Sequence, residues 1–492
     1  MIRMELIGHA YKYAAEQIIL ALFPKERISY SADSVTCSSD ITIKSSLSTG
    51  AVFAQATAAI YCNGKVSRGA ARIGVDKLSG KLITDRLLQR IVKQSIYKAA
   101  TANTGVKPVW GSLTGIRPAK LATTALESGK STGAATRMLV SEYHVSPVRA
   151  EMCLDAALAA VRLKNTLSPA DIALYIGIPF CPTRCAYCSF VSNSVEKSFN
   201  LIEPFTQTIL DEIGIIARTT SDLGLRVITV YIGGGTPTAL PPESLEAIMR
   251  TLRDSFDLCA LREYTVEAGR PDTLTQQKLD IMLAHGATRI CVNPQSMSLD
   301  VLRKIGRCHT PEDVFTAVKL IRQSDAALNM DVIAGLPGDT PGGFRETLDA
   351  LLDLNPENIT VHTLSLKKGS RIMLEDTEVP GGGDVAEMLG YASERLRAHH
   401  YRPYYIYRQK FTSGGFENTG WCFAEREGVY NICMMEELCT VLALGGGGVT
   451  KLVSSDGRIE RIFNAKYPLE YIQHNGKITD KSEKVREFYS GG

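Results

Sequence analysis

Between residues 172 and 366, short apolar runs alternate with stretches whose apolar residues recur at helical spacing. A short apolar run is typical of a buried strand, whereas a spacing of three to four residues is typical of a helix with one buried face. The first pattern predicts six strands, at Ile172–Pro179, Val227–Ile232, Tyr264–Glu267, Arg289–Asn293, Leu328–Ala334 and Ile359–Leu366. The second predicts five intervening helices, at Pro204–Ala217, Leu245–Leu252, Thr275–Ala284, Pro311–Ile321 and Phe344–Leu352.

Strands that alternate with helices in this way form parallel sheets with the helices packed on the outside. Because the crossovers are right-handed, six such units in series are expected to curve into an open barrel of the (βα)6 type. Ligands of these sheets bind beyond the carboxyl ends of the strands. The pattern therefore predicts an α/β fold with a partial, TIM-like (βα)6 barrel and places its site at one end.

The flanking regions have other patterns and divide the chain into four parts. Residues 1–105 combine strand-like runs with a helical stretch at Tyr11–Leu22 and are expected to form a small α+β domain of unknown role. Residues 106–168 are interpreted as a helical bridge with turns around Pro118 and Pro147. Residues 169–383 form the predicted core, and residues 384–492 are expected to form a C-terminal α+β extension that includes a helix at Val385–His399.

Composition narrows the functional classes. Of 492 residues, 55 are Lys or Arg and 52 are Asp or Glu, so the formal net charge is only +3. Proteins that bind nucleic acid or membrane surfaces concentrate an excess of basic residues, and we expect neither partner here. No apolar stretch is long enough for a membrane span. Nine of the twelve cysteines are scattered, which is typical of reduced thiols in a cytoplasmic protein.

The other three cysteines, Cys181, Cys185 and Cys188, follow the first predicted strand with the spacing C-x3-C-x2-C. Thiolates are the usual ligands of iron–sulfur clusters, and three of them leave one iron of a cubane free to bind a small molecule. A structural zinc knuckle and unrelated buried thiols are the alternatives. Zinc requires a fourth Cys or His, and none lies within twenty residues of Cys188.

This spacing, with Tyr187 before the last cysteine, resembles the radical S-adenosylmethionine (SAM) enzymes. The longer string from Tyr175 to Cys181, Tyr-Ile-Gly-Ile-Pro-Phe-Cys, is similar to the oxygen-independent coproporphyrinogen III oxidases, also called dehydrogenases. The resemblance covers roughly residues 172–370 and, more loosely, the last part of the chain. It implies two cofactors, SAM and a [4Fe–4S] cluster held by Cys181, Cys185 and Cys188.

Further motifs stand at the predicted strand ends. A glycine run, Gly233-Gly-Gly-Thr-Pro237, follows the second strand, and Asp331 to Pro337 resembles the D-x-I-x-G-L-P element of the family. Glycines let backbone groups approach a ligand closely. Taken singly, each polar residue here could equally be an ordinary structural residue. Taken together, these residues follow successive predicted strands. The resemblance implies these SAM-site residues: Tyr175, Tyr187, Gly234, Gly235, Thr236, Glu267, Gln295, Arg307 and Asp331.

Departures from the family pattern indicate the branch. The enterobacterial-type dehydrogenase has a His where this chain has Gly177 and a fourth Cys where it has Phe190, and its counterpart of Glu267–Pro271 is one residue shorter. These features, with Val361–Leu364, resemble the HemZ-type branch. The heme-chaperone (HemW-type) branch carries an HN-x-x-YW signature, and the nearest string here, Glu417–Trp421, lacks the His.

The resemblance implies that the cluster reduces SAM, and that the resulting 5′-deoxyadenosyl radical takes hydrogen from a propionate side chain of coproporphyrinogen III. Loss of carbon dioxide and of one electron, which passes to an unidentified acceptor, then leaves a vinyl group, and two rounds give protoporphyrinogen IX. The expected partners are coproporphyrinogen III or a related porphyrin and an unidentified electron donor and acceptor. No catalytic residue beyond the cluster and SAM is expected.

Two alternatives stay open. The first is a heme-binding chaperone without dehydrogenase activity, and the second is a radical SAM methylthiolase or peptide-modifying enzyme. The second class generally needs another cysteine set, and Cys422, Cys433 and Cys439 are widely spaced. The aromatic run Tyr404–Arg408 fits either a porphyrin pocket, with Arg408 pairing a propionate, or a half-buried strand.

Overall fold

The structure is a computed structural model that describes residues 1–23, 26–30, 41–188, 193–367, 369–409, 412–473 and 477–490. It contains two compact units, Met1–Leu154 and Asp155–Gly492. Phe190, which separates the chain from the enterobacterial pattern, lies outside the described residues.

The first unit is built on a five-stranded sheet with the order β2-β1-β3-β4-β5. Its strands are β1 (Ile2–Ile7), β2 (Ile28–Ser29), β3 (Ile41–Thr49), β4 (Phe53–Cys62) and β5 (Lys65–Gly74). Its helices are α1 (Lys12–Leu22), α2 (Gly80–Thr104), α3 (Ala119–Glu127), α4 (Thr132–Arg137) and α5 (Pro147–Lys164), the last of which continues into the second unit. Buried residues of α1, α2 and the sheet, including Ile19, Ile60 and Ile96, form one core.

Helix α2 and the two-residue strand β2 were not predicted, although the other strands and the helix before α2 were. Its first half carries exposed apolar residues such as Leu82 and Ile83, and only its second half buries a regular stripe that includes Ile91, Val92 and Ile96. Because the apolar period is confined to half of a 25-residue helix, the pattern of this segment was too weak to stand out.

The second unit contains the remaining strands. They are β6 (Asp171–Ile178), β7 (Phe180–Cys181), β8 (Asn193–Ser194), β9 (Arg226–Gly234), β10 (Glu263–Glu267), β11 (Arg289–Gln295), β12 (Ala327–Ala334), β13 (Asn358–Thr363), β14 (Arg402–Arg408), β15 (Glu417–Cys422), β16 (Thr440–Gly445), β17 (Val449–Val453) and β18 (Ile459–Phe463). All but the short pair β7 and β8 form one sheet with the order β14-β15-β13-β12-β11-β10-β9-β6-β16-β17-β18.

Helices cover this sheet and connect its parallel strands. They are α6 (Val195–Ser198), α7 (Ile202–Asp222), α8 (Pro242–Ser255), α9 (Gln276–Ala284), α10 (Leu299–Lys304), α11 (Pro311–Ile321), α12 (Pro341–Asp353), α13 (Arg371–Leu374), α14 (Gly382–Ala398), α15 (Val429–Glu436), α16 (Pro468–Gln473) and α17 (Lys477–Ser490). Local chemistry sets their ends. At α11, for example, Thr310 and Asp313 cap each other's backbone N–H groups and Pro311 occupies the first turn.

The six predicted strands correspond to β6 and β9–β13, which lie side by side and parallel. The predicted α/β fold with a partial (βα)6 barrel is therefore confirmed. The last strand ends at Thr363 rather than Leu366, and the Thr363 N–H there donates to the Asn418 side chain of β15. Two additions were not predicted: β15 pairs antiparallel with β13, and β16 pairs parallel with β6.

Strand register determines which side chains share the inner face of the barrel. Tyr175 of β6 is paired with Tyr231 of β9, and Glu267 of β10 is paired with Cys291 of β11. Because successive strand residues point to opposite faces, the aliphatic neighbours Leu174 and Ile176 face the helices. The inner face is thus polar and aromatic. Within the described ranges, no helix is both long and apolar enough to cross a membrane.

The packing of α2 predicts a contrast between two aliphatic residues of one helix. Ile96 is fully buried and Leu82 is 66% exposed. We expect Ile96→Ala to destabilise the first unit by about 2–5 kcal/mol, whereas Leu82→Ala should change its stability by less than about 0.5 kcal/mol. Hydrogen exchange of the β3–β5 amides in the full chain measures both effects. Equal protection in the two variants would contradict this placement of α2.

Candidate cofactor site

The loop that carries the three cysteines starts at the carboxyl end of β6 and is held there by backbone hydrogen bonds. The N–H groups of Gly235 and Thr236, after β9, donate to the carbonyl oxygens of Ile178 and Phe180, both over 2.7 Å. A Cβ at Gly235 would collide with the Phe180 carbonyl, so only glycine fits there. The Thr236 hydroxyl lies 3.6 Å from the Cys181 sulfur. The glycine run thus anchors the start of the cysteine loop.

The other side of the loop rests on the segment after β11. Ala186 N–H donates to the Ile305 carbonyl over 2.8 Å, and the Thr183 hydroxyl donates to the Gly306 carbonyl over 3.0 Å. Ala186 also packs in a small core with Ile305 and Leu336. The Cys188 N–H donates to the Cys185 carbonyl over 3.1 Å, which closes a tight turn. The described part of the loop is therefore held at its start, near its middle and at Cys188.

Two buried guanidinium groups flank Cys185. Arg270 is 2% exposed, and its Nη1 lies 3.5 Å from the Cys185 sulfur. Burial alone would raise the pKa of the Cys185 thiol, but the charges of Arg307 and Arg270 outweigh it and hold that pKa below its ordinary value. The site therefore favours the thiolate, which is the form that binds metal.

Arg307 links the cysteine loop to the end of β11. Its Nη1 donates to the Gly269 carbonyl over 3.3 Å and to the Asn293 carbonyl. Tyr187 of the cysteine loop is close enough to interact with both Arg307 and Cys185, and burial raises the pKa of its hydroxyl well above the ordinary value. Tyr187 thus stays a neutral hydrogen-bond donor beside the thiolate.

Three tyrosines stack within the barrel. The Tyr231 ring lies 6.2 Å from that of Tyr175 and 4.4 Å from that of Tyr430, measured between centroids. Tyr430 comes from α15, in the C-terminal region. Burial raises the pKa of each of these hydroxyls. The stack forms a neutral aromatic wall.

A carboxylate pair lies beside this wall. The Tyr231 hydroxyl donates to Glu267, and burial raises the pKa of Glu267 to about 7, with a further contribution from the nearby charge of Asp331. Asp331 accepts a hydrogen bond from the Asn329 side chain over 2.9 Å and lies 3.5 Å from His362 Nε2. Glu267 can therefore change protonation near neutral pH, which gives the interior an adjustable charge.

Several buried polar atoms at the same end of the barrel have no hydrogen-bond partner among the described residues. They are Asn293 Oδ1, Gln295 Oε1 and Arg307 Nε. Buried polar atoms normally find a partner, and leaving one unpaired costs about 1–3 kcal/mol. Gln295 also has a positive φ of 67°, which is uncommon outside glycine. These atoms fit a site that receives a polar ligand such as the amino acid part of SAM.

The structure brings the predicted residues together in two neighbouring groups. Cys181, Cys185, Cys188, Tyr187, Thr236 and Arg307 belong to the cysteine loop and its supports, whereas Tyr175, Glu267 and Asp331 face the barrel interior. The Gly234 N–H joins the second group through Glu267, and Gln295 is the last residue of β11.

Sequence reasoning missed Arg270, Tyr231 and Tyr430. Tyr231 carried a usable signal, because it lies two residues before Gly233 on a predicted strand and so shares the inward parity. Arg270 stands in the segment after β10 that is one residue longer than in the enterobacterial type, and this insertion could have drawn attention to it. Tyr430 carried no local signal, since only tertiary structure brings α15 under β9.

Within the described ranges, no group of three or more His, Cys, Asp or Glu side chains is arranged to hold one metal ion. A zinc site requires such convergence. A cubane cluster binds each thiolate through a different iron and does not require it. The three thiolates of the cysteine loop are the kind of ligand that a cubane cluster binds.

The raised pKa of Glu267 predicts a pH effect on the cofactor-free protein. The folded protein keeps this proton up to a pH of about 7, whereas the unfolded chain releases it near the ordinary value of 4.5. Stability therefore falls as the pH rises between these values. We expect wild-type protein to lose up to about 3 kcal/mol of unfolding free energy relative to Glu267→Gln across this range. Urea denaturation at several pH values measures the difference.

The exposed Glu243 on α8 provides the control, since Glu243→Gln removes a carboxyl at the surface of the same unit. Its stability should follow that of the wild type at every pH. A difference between Glu267→Gln and wild type that stays constant with pH would contradict the raised pKa.

Comparisons with known proteins bear on this site. The model of the Radical SAM superfamily matches residues 175–351. The chain is 37% identical over 398 residues to the oxygen-independent coproporphyrinogen-III oxidase-like protein HemZ of Bacillus subtilis, covering 78% of each chain. It is 33% identical over 264 residues to the heme chaperone HemW of the same organism, covering 50% of this chain and 64% of HemW.

Among solved structures, the fold is similar to that of coproporphyrinogen III oxidase (HemN) from Escherichia coli. The TM-score is 0.51 at 19% identity, covering 65% of this chain and 72% of that chain. HemN from Escherichia coli is described as a radical SAM enzyme. The chain belongs to the radical SAM superfamily and, within it, to the HemZ family of coproporphyrinogen III oxidase-like proteins, and its cofactors are a [4Fe–4S] cluster and SAM.

Proposed function

We propose that this protein is a coproporphyrinogen III dehydrogenase-like enzyme that converts propionate side chains to vinyl groups by oxidative decarboxylation. The product would be protoporphyrinogen IX, in heme biosynthesis. The observation that carries the proposal is the likeness to HemZ, an oxidase-like protein, over 78% of both chains. The cysteine loop with its flanking guanidinium groups supports it.

In this proposal Cys181, Cys185 and Cys188 hold the cluster. When bound, the cluster and SAM supply one-electron chemistry that can remove a hydrogen atom from an unactivated carbon. The protein's own contribution is electrostatic: Arg270 and Arg307 keep Cys185 deprotonated and offset negative charge in a buried site. The backbone anchors at Gly235 and Ala186 hold the loop in place.

The proposed SAM site is made of the two groups of residues at the barrel mouth. Gln295 and Arg307 have unpaired polar atoms there, and Glu267 and Asp331 provide acceptors for amino or hydroxyl groups. Tyr175, Tyr187, Gly234, Gly235 and Thr236 complete the proposed set. Because Thr236, Gln295 and Arg307 are buried and the other members of the set are partly buried, the site can exclude water from reactive species.

The barrel interior is suited to a flat, carboxylated substrate. The stack of Tyr175, Tyr231 and Tyr430 offers an aromatic wall, and His362 beside Asp331 offers a polar contact. The run Tyr404–Arg408 is strand β14, as one of the two interpretations expected. Arg408 donates two hydrogen bonds to the Gly415 carbonyl, so in this conformation its guanidinium is engaged within the protein.

A heme chaperone without dehydrogenase activity is the second candidate. The 33% identity to HemW favours it, and His362 is a histidine of the barrel interior that could bind heme iron. Against it, Glu417 stands where the HemW-type signature has a His.

The main proposal has three further parts. It includes an unidentified electron donor and acceptor, and it keeps the division of the chain into four parts. It also includes a cytoplasmic location, which the scattered cysteines support.

The cluster assignment predicts the iron content of cysteine variants. Anaerobically purified protein should contain about four irons per chain. Cys181→Ala and Cys185→Ala should each lose the iron and the visible chromophore, because two thiolates do not retain a cubane. Iron analysis and absorption spectra measure this. As controls, Cys422→Ala, Cys433→Ala and Cys439→Ala remove buried thiols outside the cysteine loop and should keep the iron.

About eight irons per chain, with half of them lost in the control variants, would contradict the single-cluster assignment.

An anaerobic assay of reconstituted protein separates the two candidate functions. We expect coproporphyrinogen III to stimulate SAM cleavage and to yield carbon dioxide and vinyl products, because decarboxylation requires a substrate propionate at the reactive position. Product analysis by mass spectrometry measures this. Heme should bind weakly, and His362→Ala should not change that binding.

Tight, stoichiometric heme binding that His362→Ala abolishes, with no vinyl product from coproporphyrinogen III, would assign the protein to the chaperones instead.

A further inference from the structure

Glu212 is a fully buried carboxylate of α7 that is bound by four groups from the C-terminal region. Lys481 Nζ lies 2.9 Å from it, the Tyr471 hydroxyl 2.6 Å, the Asn464 side-chain nitrogen 3.0 Å and the Gly445 N–H 2.7 Å. A buried charge is tolerated only with partners as complete as these. We call these five residues the C-terminal clamp.

The C-terminal clamp fixes the glycine loop Gly445–Gly448, which connects β16 to β17. The Gly445 N–H donates to Glu212. Lys481 also donates to the carbonyl of Ala443, two residues earlier on β16. At the far end, Asn464 N–H donates to the Gly448 carbonyl over 2.9 Å. Both ends of the glycine loop are thus held by members of the clamp.

The glycine loop lies against the strand that leads into the cysteine loop. A Cβ at Gly177 would be 2.6 Å from the Gly446 carbonyl oxygen, and a Cβ at Gly446 would be 2.8 Å from the Pro179 ring. Gly177 has the same strand parity as Tyr175 and therefore faces the barrel interior. Pro179 stands two residues before Cys181. The backbone at Gly446 consequently borders the barrel mouth where the cysteine loop begins.

From these contacts we infer that the C-terminal clamp positions the glycine loop as a backbone wall of the cavity that receives SAM. Glu212 and Lys481 touch no cofactor in this arrangement. They are positioning residues that act through Gly445 and Gly446 on Gly177 and Pro179. The inference rests on the proposed SAM site and does not depend on the identity of the substrate.

Lys481→Met tests the inference in the full-length, reconstituted protein. Without its cation, the buried Glu212 carboxylate is uncompensated and the network must rearrange. We expect SAM affinity, measured anaerobically by calorimetry without porphyrin, to weaken about tenfold, while the iron content stays that of the wild type. The double variant Glu212→Gln/Lys481→Met should recover most of the affinity, because glutamine still accepts from Gly445 and Tyr471.

Arg486→Met is the matched control. Arg486 also lies on α17 and also pairs with an acid of α7, Asp222, over 2.7 Å, but both side chains of that pair are exposed. An exposed pair contributes little, so SAM affinity should not change.

Unchanged SAM affinity in a Lys481→Met protein that is merely less heat-stable would overturn the inference and leave the clamp a purely structural contact. If Lys481→Met does not fold, Gly446→Ala provides the same test, because its Cβ would press on Pro179. Failure to decarboxylate coproporphyrinogen III would refute the proposed function while leaving these affinities interpretable. Wild-type protein that binds no SAM would overturn the SAM site and the inference together.

Discussion

Two guanidinium groups buried beside one cysteine sulfur are the constraint on which the rest of this structure depends. Arg270 and Arg307 are each less than a tenth exposed, and both lower the pKa of Cys185. Two neighbouring cations in a buried site repel each other and lose hydration, so negative charge must lie close by. Asp272, 3.6 Å from Arg270, supplies part of it. The thiolates supply the rest, which links the folding of the barrel mouth to the chemistry of the cysteine loop.

The parallel barrel explains how residues so far apart in sequence reach this place. Cys185 follows the first parallel strand, Arg270 the third and Arg307 the fourth, and the carboxyl ends of parallel strands lie at one edge of a sheet. Each connection contributes something different: backbone donors after β9, a guanidinium after β10, and a second guanidinium with Gln295 after β11. The fold thus assembles one electrostatic site from several short loops.

Much of this arrangement could be predicted from sequence because it depends on local signals. Parallel strands buried on both faces produce continuous apolar runs, and all six were recognised from them. The polar residues that follow such runs then share one edge by topology alone. Helix α2 and strand β15 gave no comparable signal. Strand β15 lies between β13 and β14 in the sheet, but its sequence, Glu417 to Cys422, has no continuous apolar run.

The residues that could not be predicted are those whose role exists only in three dimensions. Tyr430 stacks on Tyr231 because α15 packs under β9, and nothing in its own stretch of sequence distinguishes it from the other tyrosines. Gly177 is a second example. From the sequence alone, it is only a glycine at the position where the enterobacterial type has a histidine.

In the structure a side chain at Gly177 is excluded by the Gly446 carbonyl, so the absence of a side chain is the condition for the glycine loop to approach. Gly177 is paired with Gly445 at the end of the parallel contact between β6 and β16, and Gly446 follows directly. The effect of a substitution at Gly177 therefore depends on the residue at position 446, and the reverse also holds. Through this contact the C-terminal region forms part of the wall of the barrel.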